Sequence, residues 1–385
     1  MTTTTDPTRT ATDIRGAVAA LAPTIKERAS EIEALRHLPA DLIDELHTTG
    51  SFRILLPASH GGAEATLPEA MDVFEALSRA DASTGWAVAI AAGVWCDLTG
   101  LPRATFDAMY DTPTRLIAGV FSPSGIATEV ESGYEISGRW SFASGSPYAD
   151  WIYGNAIEMI DGTPEFRTIL FEPGEVVIED TWHVLGMRGT ASHDFVADHV
   201  TVPAARTFAT FASEPCVDAT IVGIPQPSLF SLLLASLVLG AARGALDDIM
   251  ELAAGKVPLL AGSPLATNEL FQRELARTDT ELRSVRALVW ACADEIWATV
   301  ESGSAPSPDL VARTRAAAAW STTVAVAGAE AAFRFGGGSA IYDDSPLQRR
   351  LRDVNVIAQH FLVKPDTLTT AGALLAGQDI DVPVF

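Results

Sequence analysis

The stretch Gly138-Arg139-Trp140-Ser141-Phe142-Ala143-Ser144-Gly145 lies mid-chain, where the hydrophobic pattern is that of strands. Short apolar runs around it, Leu116–Phe121, Trp151–Met159 and Arg167–Phe171, are separated by Gly, Pro and Asp. Tyr134-Glu135-Ile136-Ser137 and Asp198-His199-Val200-Thr201-Val202 alternate with a period near two, as a strand with one buried face does. A small antiparallel sheet or barrel is expected over residues 116–225. Outward on both sides the pattern is helical. Leu38-Pro39-Ala40-Asp41 reads as a helix start with Leu42, Ile43 and Leu46 on one apolar face. His60-Gly61-Gly62 interrupts the pattern, and Leu67-Pro68-Glu69 starts a helix carrying Met71, Phe74 and Leu77. Beyond Pro227, Leu229, Leu232, Leu233 and Leu237 mark one helical face, and Phe230, Leu234 and Val238 another. A helix apolar all round must be buried among other helices. The result is an α+β chain in three parts: helical 1–115, β 116–225 and a helical bundle 226–385. The Thr-rich start, Met1 to Thr12, has no periodicity and is expected to be disordered.

The chain has 385 residues, 48% of them hydrophobic, enough for two or three packing units. With 49 acidic and 26 basic residues the formal charge is −23, and no Lys/Arg run offsets it, so a nucleic-acid partner is excluded. Cys96, Cys216 and Cys292 are far apart, without CxxC or Cys/His spacing, which points to reduced cytoplasmic thiols and to no metal site. No basic-then-apolar signal pattern opens the chain. The most apolar run, Leu229 to Ala242, is shorter than the ~20 residues a membrane span needs and reads as a buried helix.

Three motifs carry a family resemblance. Gly138 to Gly145 resembles the strand and turn that lie against the flavin ring in the acyl-CoA dehydrogenase superfamily. Trp182 with Gly186-Met187-Arg188-Gly189-Thr190-Ala191-Ser192 resembles that superfamily's next central-domain motif. Gly336-Gly337-Gly338 followed by Arg349-Arg350-Leu351-Arg352-Asp353 resembles its C-terminal signature. The three occur in the right order and spacing and span nearly the whole chain. The resemblance implies an N-terminal helical domain, a central β-barrel domain and a C-terminal four-helix bundle, assembled as a homotetramer, with flavin between barrel and bundle. It also implies cofactor contacts at Phe121, Ser122, Trp140, Phe142, Ser144, Arg188, Ser192, Gly336 and Gly337.

Dehydrogenases of that superfamily remove an α-proton with a carboxylate, commonly a Glu shortly after the Arg-Asp pair, because an unactivated C–H bond does not lose its proton to water. Here no carboxylate follows Asp353 until Asp366, and His360 stands in that stretch. A His there resembles the two-component flavin-dependent monooxygenases (group D hydroxylases). That branch uses O2 and reduced FMN or FAD from a separate NAD(P)H-dependent flavin reductase. A lone His is more often a packed side chain than a ligand. Within this motif, however, the resemblance makes His360 catalytic, able to position a substrate or take its proton, since imidazole is neutral near pH 7. It gives Ser144, otherwise a residue that closes a turn, a place near the flavin N5. Phenol hydroxylases of the branch often carry a His where this chain has Trp95, which predicts Trp95 in a more apolar substrate pocket. No GxGxxG follows a strand, so no built-in nicotinamide site is expected. Lys256, without a nearby upstream Arg, precedes Gly262-Ser263-Pro264, and FAD and FMN are not separated. The expected substrate is a small organic molecule, aromatic or polycyclic. The alternatives are a dehydrogenase with its base elsewhere and a non-catalytic binding protein on the same fold.

Overall fold

Thr10 opens the first helix. Its hydroxyl accepts from the Asp13 amide, while the Asp13 carboxylate accepts from the Thr10 amide at 3.0 Å, a reciprocal cap that satisfies two otherwise orphaned donors. The computed structural model describes residues 9–378 and 380. Residues 1–8 of the expected disordered start lie outside that range. The remainder corrects the expectation: Arg9 donates to the Thr49 carbonyl at 3.2 Å, and Thr10 to Thr12 are held by the cap and the helix it opens.

Five helices come first: α1 (Ala11–Leu35), α2 (Ala40–Thr49), α3 (Leu67–Ala80), α4 (Ala82–Gly93) and α5 (Arg103–Met109). Pro39 precedes α2, and Thr66 with Glu69 forms a second reciprocal cap on α3. The middle of the chain forms one sheet from β1 (Ile117–Val130), β2 (Gly133–Ala143), β3 (Trp151–Ile160), β4 (Thr163–Phe171), β5 (Val177–Glu179), β6 (His193–Val202) and β7 (Thr207–Ala209). Their order is β5-β6-β2-β1-β3-β4-β7. The sheet is mixed, because β1 and β3 run parallel while the other neighbours are antiparallel. It curls far enough for Phe171 on β4 to meet Trp140 on β2, ring centroids 5.8 Å apart.

Three long helices follow, α6 (Gln226–Gly255), α7 (Glu269–Glu301) and α8 (Pro308–Gly336), then the shorter α9 (Pro346–Ile357) and α10 (Leu368–Leu375). By length and composition α6 resembles a membrane span, but 94% of its most apolar window is buried by neighbouring helices. It is the axis of the main core, touching α3, α4, α7, α8 and α9.

Helix α9 ties these parts together through successive polar residues. Arg349 donates to Ser30 of α1 at 2.9 Å. Arg350, 4% exposed, donates to the carbonyls of Arg79 and Ala80 at 2.7 and 2.9 Å and to Asp248 of α6 at 3.1 Å. It thus satisfies the last carbonyls of α3, where a cation also meets the negative end of the helix dipole. Arg352 pairs with Glu33 at 2.5 Å and donates to the Leu185 carbonyl at 2.6 Å. Asp353 accepts from the Met187 amide at 2.6 Å. Truncating one partner of a buried ion pair typically costs about 3–5 kcal/mol, because the other charge is left uncompensated. Arg350→Met is therefore expected to lower the unfolding free energy by about 3 kcal/mol or more in urea titrations. A loss below about 1 kcal/mol would show that α9 does not hold α3 and α6 in place.

Candidate active site

The β1/β2 ladder stops at Gly125 and Gly138. Carried four residues further, it would set Phe121 opposite Phe142, but both strands are irregular there. β1 shifts register against β3 between Val120 and Pro123, and β2 against β6 between Trp140 and Ala143. Bulges of this kind re-aim side chains beside functional sites. Phe142 takes φ +74° and turns its ring outward, 69% exposed and edge-on to Trp182 at 6.0 Å. Phe121 and the exposed Ser122 lie within the irregular part of β1.

Beyond Phe142 the chain turns through Ser144 and Gly145, whose φ of +77° only glycine adopts freely. The Ser144 hydroxyl oxygen accepts from the Trp86 indole N–H at 2.9 Å and lies 2.8 Å from the Ser192 hydroxyl. Ser192 is 2.7 Å from Thr190, and Thr190 donates to the Met187 carbonyl at 3.0 Å. Met187 and Ala191, at φ +56° and +47°, are two further non-glycine residues in the left-handed region. With Phe142 they place three of the eight such residues among the described residues around one cluster of hydroxyls, and backbone strain of this kind gathers at functional sites.

The turn carrying Met187 is fixed from the bundle by Asp353. Gly186 permits the approach, since a Cβ there would lie 2.5 Å from the Arg352 carbonyl carbon. Asp353 is 4% exposed, and burial pushes its carboxyl up to about 7, helped by the nearby Asp81 and opposed by the Met187 amide.

His360 closes the cluster. It follows α9 in a turn and caps the short 3-10 turn Phe361–Val363. Its Nδ1 accepts from the Leu362 amide at 3.3 Å, so the proton of the neutral ring sits on Nε2, which has no hydrogen-bond partner among the described residues. The ring stacks on Phe361 at 5.0 Å and stands edge-on to Trp86 at 5.9 Å. Burial alone lowers its pKa to about 4. A carboxylate close enough to act with it would raise that value, and none does.

Ser144, Ser192 and His360 are thus linked through Trp86, with Phe142 beside them on the same strand end. Three other expected site residues, Trp140, Trp95 and Arg188, are not brought to the cluster, which corrects the sequence reading. Trp140 is fully buried inside the curled sheet, stacked on Phe195 at 4.8 Å, with its N–H donated to the Asn155 carbonyl at 2.7 Å. It cannot wall a flavin. Trp95 is 1% exposed and packs edge-on to Phe106 at 6.4 Å, within the core of the helical domain rather than on a pocket surface. Arg188 turns to α1, donating to the Val184 carbonyl at 2.9 Å with Glu33 at 3.9 Å. Gly336 and Gly337 lie at the end of α8 beside Lys256, across the length of α9 from His360.

Trp86, Thr190 and Asp353 were not singled out as site residues, although Thr190 and Asp353 stand in quoted motifs. The signal was there for Thr190, whose hydroxyl falls two residues before Ser192 in a Gly-rich turn.

Family models for the acyl-CoA dehydrogenase N-terminal and C-terminal domains match residues 8–100 and 232–365. Indole-3-acetate monooxygenase of Pseudomonas putida is 31% identical over 355 residues, 92% of this chain and 91% of that one. The oxygenase component of FADH(2)-dependent resorcinol hydroxylase from Rhizobium sp. is 30% identical over 391 residues, 94% of each chain. The crystal structure of 3-HSA hydroxylase from Rhodococcus sp. RHA1 matches with a TM-score of 0.90 at 25% identity, over 97% of this chain and 99% of that one. The chain belongs to the acyl-CoA dehydrogenase superfamily, in its branch of flavin-dependent monooxygenases.

The raised carboxyl of Asp353 has a signed consequence. Its unfolded value is near 3.8 and its folded value about 7. The folded state therefore holds the proton more tightly, and this group's contribution to stability is lost as pH rises from about 4 to 7. Asp353→Asn, which keeps an acceptor for the Met187 amide, should gain stability relative to the parent as pH rises over that interval. The gain should level off above pH 7, as read from urea midpoints at several pH values. A difference that stays constant with pH would contradict the assignment.

Proposed function

We propose that the chain is the oxygenase component of a two-component system. It takes reduced FAD from a separate NAD(P)H-dependent flavin reductase and uses O2 to hydroxylate an aromatic substrate. The observation that carries this reading is the partly buried, uncharged His360, whose Nε2–H has no hydrogen-bond partner and no carboxylate at hand among the described residues, coupled through Trp86 to Ser144. A dehydrogenase needs a carboxylate base, commonly in this stretch. A neutral imidazole whose Nδ1 lone pair is already engaged is a donor instead.

The residues suit a planar, partly polar ring. Phe142 offers an exposed aromatic face, and Ser144 offers a hydroxyl with one lone pair not used by Trp86. Bound flavin would supply the oxygen chemistry. Phe121, Ser122, Phe142 and Ser144 would hold it, with Ser192 behind Ser144. His360 orients the substrate by donating from Nε2. The ring stack of Phe361 on His360 and the indole of Trp86 keep water from competing for that proton. The resorcinol hydroxylase, named as FADH(2)-dependent, supports FAD over FMN. Indole and resorcinol relatives support an aromatic substrate.

Assembly as a homotetramer in the cytoplasm completes the proposal. Half-exposed Leu288 on α7 and Trp320 on α8 are apolar surface that a neighbouring copy would cover. Gly337, at φ +52° beside Lys256, would serve the phosphate end of a flavin held by that copy.

His360→Ala should lower product formed per flavin oxidised by roughly tenfold, the loss of about one hydrogen bond to a desolvated group, while His360→Gln, which keeps an N–H, should lose less. Coupling in the parent should stay flat from pH 6 to 8, because His360 titrates near 4. A step in coupling near pH 6.5, or an unchanged His360→Ala yield, would refute the donor role. Anaerobic addition of an acyl thioester to the FAD-loaded protein should leave the flavin oxidised; bleaching would restore the dehydrogenase reading.

A further inference from the structure

Ser144, Ser192 and Thr190 form a chain of three hydroxyls, 2.8 and 2.7 Å apart, buried behind the strand end. Thr190 and Ser192 are 1% and 3% exposed. Each hydroxyl has one proton to give, so the chain has only two ordered arrangements. In the first, Ser144 donates to Ser192, Ser192 to Thr190, and Thr190 to the Met187 carbonyl at 3.0 Å. Every proton is used. Ser144, which already accepts from Trp86 at 2.9 Å, is left with one open lone pair. In the second the order is reversed: Thr190 donates to Ser192 and Ser192 to Ser144. The Met187 carbonyl then loses its bond from Thr190, both Ser144 lone pairs are taken, and its proton is left pointing outward. The first arrangement keeps one more hydrogen bond inside the protein.

We propose that Thr190 and Ser192 are positioning residues that fix Ser144 as a hydrogen-bond acceptor, so that the site selects reduced over oxidised flavin. The proposal rests on the flavin reading given above. Reduced isoalloxazine carries a hydrogen on N5, whereas the oxidised ring presents a lone pair there. An acceptor at Ser144 meets the first directly. To meet the second, the chain must reverse and give up the Thr190–Met187 bond. One neutral hydrogen bond of difference corresponds to about fivefold in the ratio of the two dissociation constants. For a two-electron couple, that is about 20 mV in the potential of the bound flavin.

The test is anaerobic titration of the full-length protein with FAD and with dithionite-reduced FAD, together with the midpoint potential of the bound flavin. Thr190→Val removes the terminal hydroxyl at nearly constant shape, so Ser192 can turn toward Ser144 at no cost. The preference for reduced FAD should fall about fivefold and the potential drop by about 20 mV. Thr190→Ser keeps the hydroxyl and should keep the ratio; a general packing defect would not be rescued in this way. Ser192→Ala breaks the chain one link earlier and should shift the ratio in the same direction, which serves if Thr190→Val does not fold. A parent preference that survives both Thr190→Val and Ser192→Ala overturns the inference and leaves the oxygenase reading standing. A parent that binds both redox states equally also overturns it, while turnover with a reductase still decides the enzyme class. A parent that binds neither form overturns both.

Discussion

The bond from the Met187 amide to Asp353 is the constraint on which the site depends. It crosses from the connection between β5 and β6 to the bundle at 2.6 Å, in a place where neither partner reaches water. The Met187 carbonyl, on the other side of the same residue, receives Trp182 and Thr190, and the hydroxyl chain to Ser144 starts there. His360 lies seven residues beyond Asp353, so one short segment sets both ends of the cluster. The acid's cost of burial is the reverse side of this arrangement. A carboxyl raised to about 7 has given up much of its hydration to hold a single amide.

The arginines beside Asp353 explain why the signature is so dense in charge inside a protein of net charge −23. Arg349, Arg350 and Arg352 are all largely buried, and each ends on a different part: α1, the end of α3 with α6, and the approach to Met187. A guanidinium spreads five donors over a planar fork and so reaches several carbonyls and a carboxylate at once, where a lysine has three donors on a single nitrogen. The acidic excess is a surface property. The site itself is assembled from hydroxyls, indoles and a neutral imidazole.

The three-part fold was legible because its evidence is local: helix starts at Pro39 and Pro68, period-two runs, and an α6 too apolar to face water. The site was legible only in part. Within β2 the inward positions run Ile136, Gly138, Trp140, and unbroken alternation would send Phe142 inward as well. The irregularity after Trp140 reverses that, leaving Trp140 enclosed and Phe142 69% exposed. A motif read as a string cannot distinguish the two aromatics, because the difference lies in register with β6. Trp95 misleads for a similar reason: its position in the string matches a pocket residue, but the 3-10 turn Val94–Leu98 rolls the indole onto Phe106. Nothing in Val356-Ile357-Ala358-Gln359 signals that α9 stops at Ile357, before the turn that carries His360.

On this fold the choice between abstracting hydrogen and handling oxygen turns on polarity at two atoms. Nδ1 of His360 is occupied by the Leu362 amide, which leaves a donor at Nε2. Met187 takes the last proton of the hydroxyl chain, which leaves an acceptor at Ser144. Backbone groups make both assignments, so neither depends on pH over the range where His360 stays neutral. A donor and an acceptor fixed in this way, on opposite sides of Trp86, suit a cofactor that arrives already reduced. The same fold with a carboxylate in place of that imidazole would present a base, and the chemistry would run in the other direction.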